Sequence, residues 1–209
     1  MEGAGWRCMW DAKAVLGEST VWDDRNGTVC WVDIENPSIH TFELETGRKS
    51  SWSAPAWISA IAPRAAGGFI ASCADGIAHV DPAHDLYRPI CQPIPDPTKA
   101  RLNDGATDRA GRYWTGTCDT AQWDDSTTAE DKESSLKDFD VRSNGELYRL
   151  DLDGSFATCE RDMVTENGPA FSPDGRTAYV NDSMPLVTWA YDVDAQGNLS
   201  NRRTFASFK

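Results

Sequence analysis

Apolar and polar residues alternate along this chain in short runs, separated by turns rich in glycine, asparagine and aspartate. Alternation of that kind buries one face of a strand. A helix needs apolar residues recurring three and four apart, and no stretch sustains that spacing. A first strand ends at Val21-Trp22, Asp23-Asp24-Arg25-Asn26-Gly27 turns, and Thr28–Ile34 makes a second strand. After Asn36-Pro37, Ser38–Leu44 alternates as a third. Asn-Gly and Asp-Gly pairs supply the positive φ that tight hairpins require.

The same order then recurs. Ile58–Ala62 leads through a turn at Ala66-Gly67-Gly68 to Phe69–Cys73 and Gly76–Asp81. Asn103–Asp108 leads through Ala110-Gly111-Arg112 to Tyr113–Thr117, and its third strand, Gly145–Leu150, follows only after an insertion. Asn167–Ser172 leads through Pro173-Asp174-Gly175-Arg176 to Thr177–Asp182 and then Val187–Asp192. Units of this kind, recurring at roughly 40–60 residues, predict an all-β chain folded as a β-propeller with about four blades represented. The alternative is a β-sandwich, which need not repeat its turn chemistry in register. Residues 1–209 read as one partial propeller domain. The one departure, 119–144, is an acidic inserted loop that includes Asp124-Asp125-Ser126 and Glu130-Asp131-Lys132-Glu133. It is read as a surface insertion or a lid over a nearby site.

Composition narrows the partners. The net charge of −13, from 20 Lys+Arg against 33 Asp+Glu, would repel nucleic acid and anionic membrane surfaces, so neither is expected as a partner. No apolar run is long enough to span a bilayer, and the opening Met1-Glu2-Gly3-Ala4-Gly5-Trp6-Arg7 lacks the apolar core of an export signal. The six cysteines contain no C-x-x-C pair and read as reduced thiols, so a cytoplasmic location is expected.

Candidate chemistry gathers at the starts of the repeats. Arg101 and Asn103 open the third, where a planar fork of donors and a carboxamide suit vicinal oxygens and sugar hydroxyls. Asp104 either reinforces that site or closes an Asx-turn on its own backbone. Glu18 and Asn167 stand at matching places in the first and fourth repeats, and offer the oxygen ligands that hard cations take. Matching positions in different blades converge on a propeller's axis. Other signals lead nowhere. Asp192-Val193-Asp194-Ala195-Gln196-Gly197 begins like an EF-hand loop, but its twelfth position is Arg203. His40, His79 and His84 lack a shared ligand spacing, and Ser19 and Cys118 have no base partner visible in sequence.

The chain resembles the senescence-marker-protein/gluconolactonase/regucalcin (SMP-30/gluconolactonase/LRE-like) family. The likeness rests on Leu16-Gly17-Glu18 with Val21-Trp22, on Trp31-Val32-Asp33-Ile34, and on Arg101-Leu102-Asn103-Asp104-Gly105 with Gly111–Thr117. Asn167-Gly168-Pro169-Ala170-Phe171-Ser172-Pro173-Asp174-Gly175 with Asp182-Ser183 completes it. The resemblance implies a six-bladed propeller with one divalent cation in its central channel, of unassigned identity among Ca2+, Zn2+, Mn2+ and Mg2+. It implies metal ligands at Glu18 and Asn167 and sugar-lactone contacts at Arg101 and Asn103. The family's third ligand and general base is an aspartate in a Pro-Asp-Gly motif past this chain's Lys209, so a C-terminally truncated sequence is expected, and no catalytic base is assigned within it. Thr120 and Ala121 stand near where some members place a substrate-binding acid. The function implied is metal-dependent hydrolysis of a sugar lactone. The alternatives are a non-catalytic calcium- or ligand-binding propeller and an inactive fragment.

Overall fold

The computed structural model describes residues 6–119 and 145–208. The chain forms four antiparallel sheets, each of four strands in sequence order. The first holds β1 (Gly17–Asp23), β2 (Thr28–Asp33), β3 (Ser38–Glu43) and β4 (Lys49–Ser53). The second holds β5 (Ile58–Pro63), β6 (Phe69–Cys73), β7 (Gly76–Asp81) and β8 (Leu86–Cys91). The third comprises β9 (Ala100–Thr107), β10 (Tyr113–Asp119), β11 (Gly145–Leu150) and β12 (Phe156–Met163). The fourth comprises β13 (Glu166–Phe171), β14 (Thr177–Asp182), β15 (Val187–Val193) and β16 (Leu199–Ser207). The first strands are innermost: β5 packs against both β1 and β9, and β9 packs against β13. This is a four-bladed β-propeller arrangement, as the repeat predicts. No helix among the described residues is long and apolar enough to cross a membrane.

The repeat legible in the sequence has three strands, and the structure adds a fourth to every blade. These outer strands pair along one edge only and keep little of the alternation that marks a half-buried strand. Four of the five residues of β4 are exposed, and β16 carries Asn201-Arg202-Arg203. Charges on an outer edge discourage pairing with another sheet, and Pro89 is tolerated in β8 because an edge strand can spare the donor. Asp119, expected to open the inserted loop, is the last residue of β10. The rest of that loop, 120–144, lies outside the described residues, together with Thr120 and Ala121.

The core fills the spaces between successive blades. Val32 and Ile39 of the first blade meet Ile58, Ile61 and Ala71 of the second. Ile70 and Ile77 meet Leu102, Tyr113 and Tyr148 of the third, and Trp114 and Leu147 meet Val180 and Tyr191 of the fourth. Fully burying one such aliphatic side chain stabilises the fold by about 1.5–3 kcal/mol, so these seams hold the blades together. The far ends of the inner strands are closed by carboxylates. Asp108 accepts from Arg112 Nε at 2.6 Å and from Trp114 Nε1 at 3.0 Å, while Asp23 accepts from Arg25 Nε at 2.7 Å. All six cysteines are free thiols.

Every inner strand carries a register shift near its start. These lie between Glu18 and Val21, Ile58 and Ala60, Leu102 and Gly105 (opposite Thr115/Thr117), and Asn167 and Ala170. In each, the inner strand spends one residue more than its partner, the definition of a β-bulge. Two bulges contain positive φ, 51° at Ser19 and 93° at Gly168, and glycine takes that conformation without steric cost. A bulge re-aims side chains, and here four bulges do so at one end of the molecule.

Candidate functional site

At that end a pocket of about 280 Å³ is lined by side chains from all four inner strands: Glu18, Ser59, Arg101, Asn103, Asp104 and Asn167. The four residues singled out from sequence are thus brought together. A pocket of this volume sits at the small end of the ligand-site range, suited to a monosaccharide-sized molecule. A larger cleft of about 690 Å³ lies at the opposite ends of the strands, among the turns around Asp108, Asp174 and Asp194. There Arg112 is already paired with Asp108.

The pocket's polar groups form a chain of oriented amides. Asn103 Nδ2 donates to the Glu166 carbonyl at 2.7 Å and to Asn167 Oδ1 at 3.1 Å. Asn167 Nδ2 donates to Ser183 Oγ at 2.7 Å, which fixes its carbonyl oxygen as the group turned towards Asn103. Buried Arg101 donates from Nη1 to the Leu102 carbonyl at 3.2 Å and reaches Asn103 Oδ1 at 3.5 Å. Beneath them, Ser59 Oγ lies 3.0 Å from the Leu102 carbonyl and 2.7 Å from that of Asn103, so the second blade holds the backbone of the third. Asp104 does more than either sequence reading proposed. Its Oδ1 accepts from Gly105 N at 2.8 Å and its Oδ2 from Gly168 N at 3.0 Å, which ties the third blade to the bulge of the fourth.

Two buried aspartates pin the approaches. Asp33 accepts from the backbone N–H of Val15 at 2.9 Å and Leu16 at 3.1 Å, and Asp182 accepts from Val164 at 3.1 Å and Thr165 at 3.0 Å. Each carboxylate closes the second strand of its blade onto the segment entering the inner strand. Ser19 is structural as well: its Oγ accepts from Ile61 N at 2.9 Å.

Electrostatically the pocket is short of positive charge. Burial raises the Glu18 carboxyl above its ordinary range and the nearby Asp104 charge raises it further, while Arg101 pulls it back. Burial likewise raises Asp104, opposed by the Gly168 and Gly105 N–H groups. Under the pocket floor lies Glu166, fully buried, with the Gly116 N–H beside it and no hydrogen bond of good geometry to either carboxylate oxygen among the described residues. Burial and then the Asp104 charge push it well above the ordinary carboxyl range. Its side chain occupies the space above Gly116, where a Cβ would come closer than 3.0 Å to Cγ, Cδ and Oε2.

The donors match a hard divalent cation in kind: a carboxylate from Glu18 and a side-chain carbonyl from Asn167. Among the described residues no group of three or more His, Cys, Asp or Glu is placed to hold a metal ion. The histidines stand apart from it, His40 beside Ser51, His79 beside Arg88 and His84 beside Asp81.

Sequence reasoning missed Ser59, Glu166, Ser183 and Met184. Ser59 was within reach, because Ile58-Ser59-Ala60 opens the second repeat where Glu18 and Asn167 stand near the openings of the first and fourth. Glu166 and Met184 have no such signal, since their roles depend on how neighbouring blades pack.

Four blades of four strands, with a small oxygen-rich pocket at the start of their inner strands, define a β-propeller. The SMP-30/Gluconolactonase/LRE-like region matches residues 16–209, and the chain belongs to that family. It is 28% identical over 202 residues to a 6-deoxy-6-sulfogluconolactonase of Pseudomonas putida, covering 97% of this chain and 63% of that protein. It is 29% identical to regucalcin of Gallus gallus, covering 94% of this chain and 62% of that one. The crystal structure of a calcium-binding protein, regucalcin from Agrobacterium tumefaciens, superposes with a TM-score of 0.79 at 24% identity, over 94% of this chain and 61% of the other. The chain therefore spans less than two thirds of the length of these relatives. The family includes proteins named as lactonases, which are hydrolases of cyclic esters.

Proposed function

We propose that this chain carries the ligand-holding part of a divalent-metal-dependent lactonase acting on a sugar lactone. The observation behind this reading is that Glu18, Arg101, Asn103 and Asn167, from three different blades, line one pocket of monosaccharide size. Arg101 and Asn103 would receive the ring hydroxyls. Both side chains are already oriented by Leu102, Glu166 and Asn167, which engages both Asn103 amide hydrogens and leaves its Oδ1 to accept from a hydroxyl, so little freedom is lost when a ligand binds. Glu18 and Asn167 would hold the cation, which when bound stabilises negative charge developing on the lactone carbonyl oxygen. Asp104 braces the two walls and, with both oxygens engaged by N–H groups, keeps the Gly168 bulge in place.

The test is hydrolysis of glucono-1,5-lactone by the full chain, followed by pH-stat with and without EDTA. EDTA should abolish turnover, and Glu18→Gln should lower kcat/KM at least tenfold, given how strongly a charged ligand contributes. EDTA-resistant hydrolysis that is unchanged in Glu18→Gln would sink the idea. A second reading, a calcium- or ligand-binding propeller without turnover, is favoured by the thin donor set among the described residues. Calorimetry with Ca2+, Zn2+ and Mn2+ beside the lactone assay separates the two, because tight binding without hydrolysis supports the second.

A further inference from the structure

The pocket has a side that the lactone reading leaves unused. Leu16, Ile34 and Met184 line it beside the polar residues. They come from the first and fourth blades, at the two ends of the arc, whereas Ser59, Arg101 and Asn103 come from the blades between them. Each apolar group is held in place. Ile34, 4% exposed, belongs to the core between the first and second blades and backs this side from beneath, its N–H donating to the Leu16 carbonyl at 3.0 Å. Leu16 is pinned through its own N–H by Asp33 and packs against the core between the first and second blades. Met184 is half-buried and follows Ser183, whose N–H donates to the Thr165 carbonyl at 2.9 Å.

The geometry points to Met184, with Leu16, as the specificity-determining side of the pocket, selecting a lactone that is deoxygenated at one ring or side-chain carbon over its fully hydroxylated parent. The inference rests on the lactone reading and adds the substrate class. A hydroxyl turned towards the Met184 and Leu16 side chains leaves water and finds no donor or acceptor on them, whereas a CH2 or CH3 gains contact. Apolar walls of this kind discriminate against an added hydroxyl by about 10²-fold at most. Methionine suits the position because its unbranched thioether conforms to irregular surfaces.

The experiment uses the full chain labelled with [methyl-13C]methionine and a series of glucono-1,5-lactones each lacking one hydroxyl. The Met184 methyl signal is assigned by its disappearance in Met184→Leu. One monodeoxy lactone is expected to bind about 10- to 100-fold more tightly than the parent and to move the Met184 methyl resonance. Met184→Ser should collapse that ratio to about one, and Met184→Leu, which stays apolar, should retain it, with circular dichroism confirming that both fold. Binding of the parent as tight as that of every deoxy analogue overturns this inference and leaves the lactone reading standing. So does a preference that survives in Met184→Ser. Absence of binding or turnover with any lactone overturns both.

Discussion

Replacing Gly116 by alanine is the sharpest perturbation this structure suggests. The added Cβ would approach three atoms of the Glu166 side chain more closely than 3.0 Å, and Glu166 is fully buried, so the carboxylate has no solvent to swing into. Forcing one extra methyl into a packed interior costs about 1–3 kcal/mol. For a chain of 209 residues, where each kcal/mol shifts Tm by about 2–4 °C, the expected loss is about 2–12 °C. The contact also has a specific cure. Glu166→Ala removes the three nearest atoms that the new methyl would strike, and it removes a carboxylate that is costly to bury. The double variant should therefore recover most of the loss, with a coupling energy of at least about 1 kcal/mol. Differential scanning calorimetry on the parent, both single variants and the double, all in EDTA, closes the cycle. A Gly116→Ala protein that melts within about 1 °C of the parent, or a double variant less stable than Gly116→Ala alone, would refute the packing argument.

Glu166 also predicts a pH dependence. Its carboxyl is raised by burial, so the folded state holds the proton more tightly than the unfolded chain. Its favourable contribution is complete below the unfolded value of about 4.3 and is lost as pH rises towards the folded one; Tm measured upward from about pH 4.5 in EDTA should fall more steeply in the parent than in Glu166→Gln. Asp182→Ala strands the N–H groups of Val164 and Thr165, at about 1–3 kcal/mol for each buried donor left unmet; urea denaturation should show a lower midpoint, and a midpoint equal to the parent's would contradict the assignment. Ser59→Ala removes the hydroxyl beneath Asn103, with an expected loss of about 1 kcal/mol and weaker lactone binding by calorimetry; a loss of stability with unchanged binding would show that the seam does not position Asn103.

The inner three strands of each blade were legible because half-buried strands must alternate and their hairpins need glycine at positive φ. The outer strands were not, since an exposed edge such as Lys49–Ser53 has no reason to alternate. The clustering of Glu18, Arg101, Asn103 and Asn167 followed from repeat register alone, because equivalent positions in successive blades face one axis. What register could not give was contact between blades. The reach of Asp104 to Gly168 and the seat of Glu166 over Gly116 join residues about 50–65 positions apart, and such pairings are fixed by packing rather than by local pattern. The fourth blade's Ser183-Met184 segment is similar: Ser183 ends a motif of the family likeness, and the fold brings it with Met184 into the pocket wall.

The bulges have a consequence for how this surface can change over time. In an uninterrupted strand, residues an odd number apart point to opposite faces, yet Ile58 and Ile61 of β5, three apart, both enter the same core seam. The extra residue resets the parity of the strand between them. The register shift lets each inner strand present a polar side chain to the pocket, at Glu18, Ser59, Asn103 and Asn167, and in the first two blades residues on both sides of it still reach the core. Substitutions at Glu18, Asn103 or Asn167 can alter the pocket's chemistry while the apolar residues of the seams stay unchanged, whereas Ser59 serves pocket and seam together. One scaffold of this design can serve many chemistries through a handful of letters.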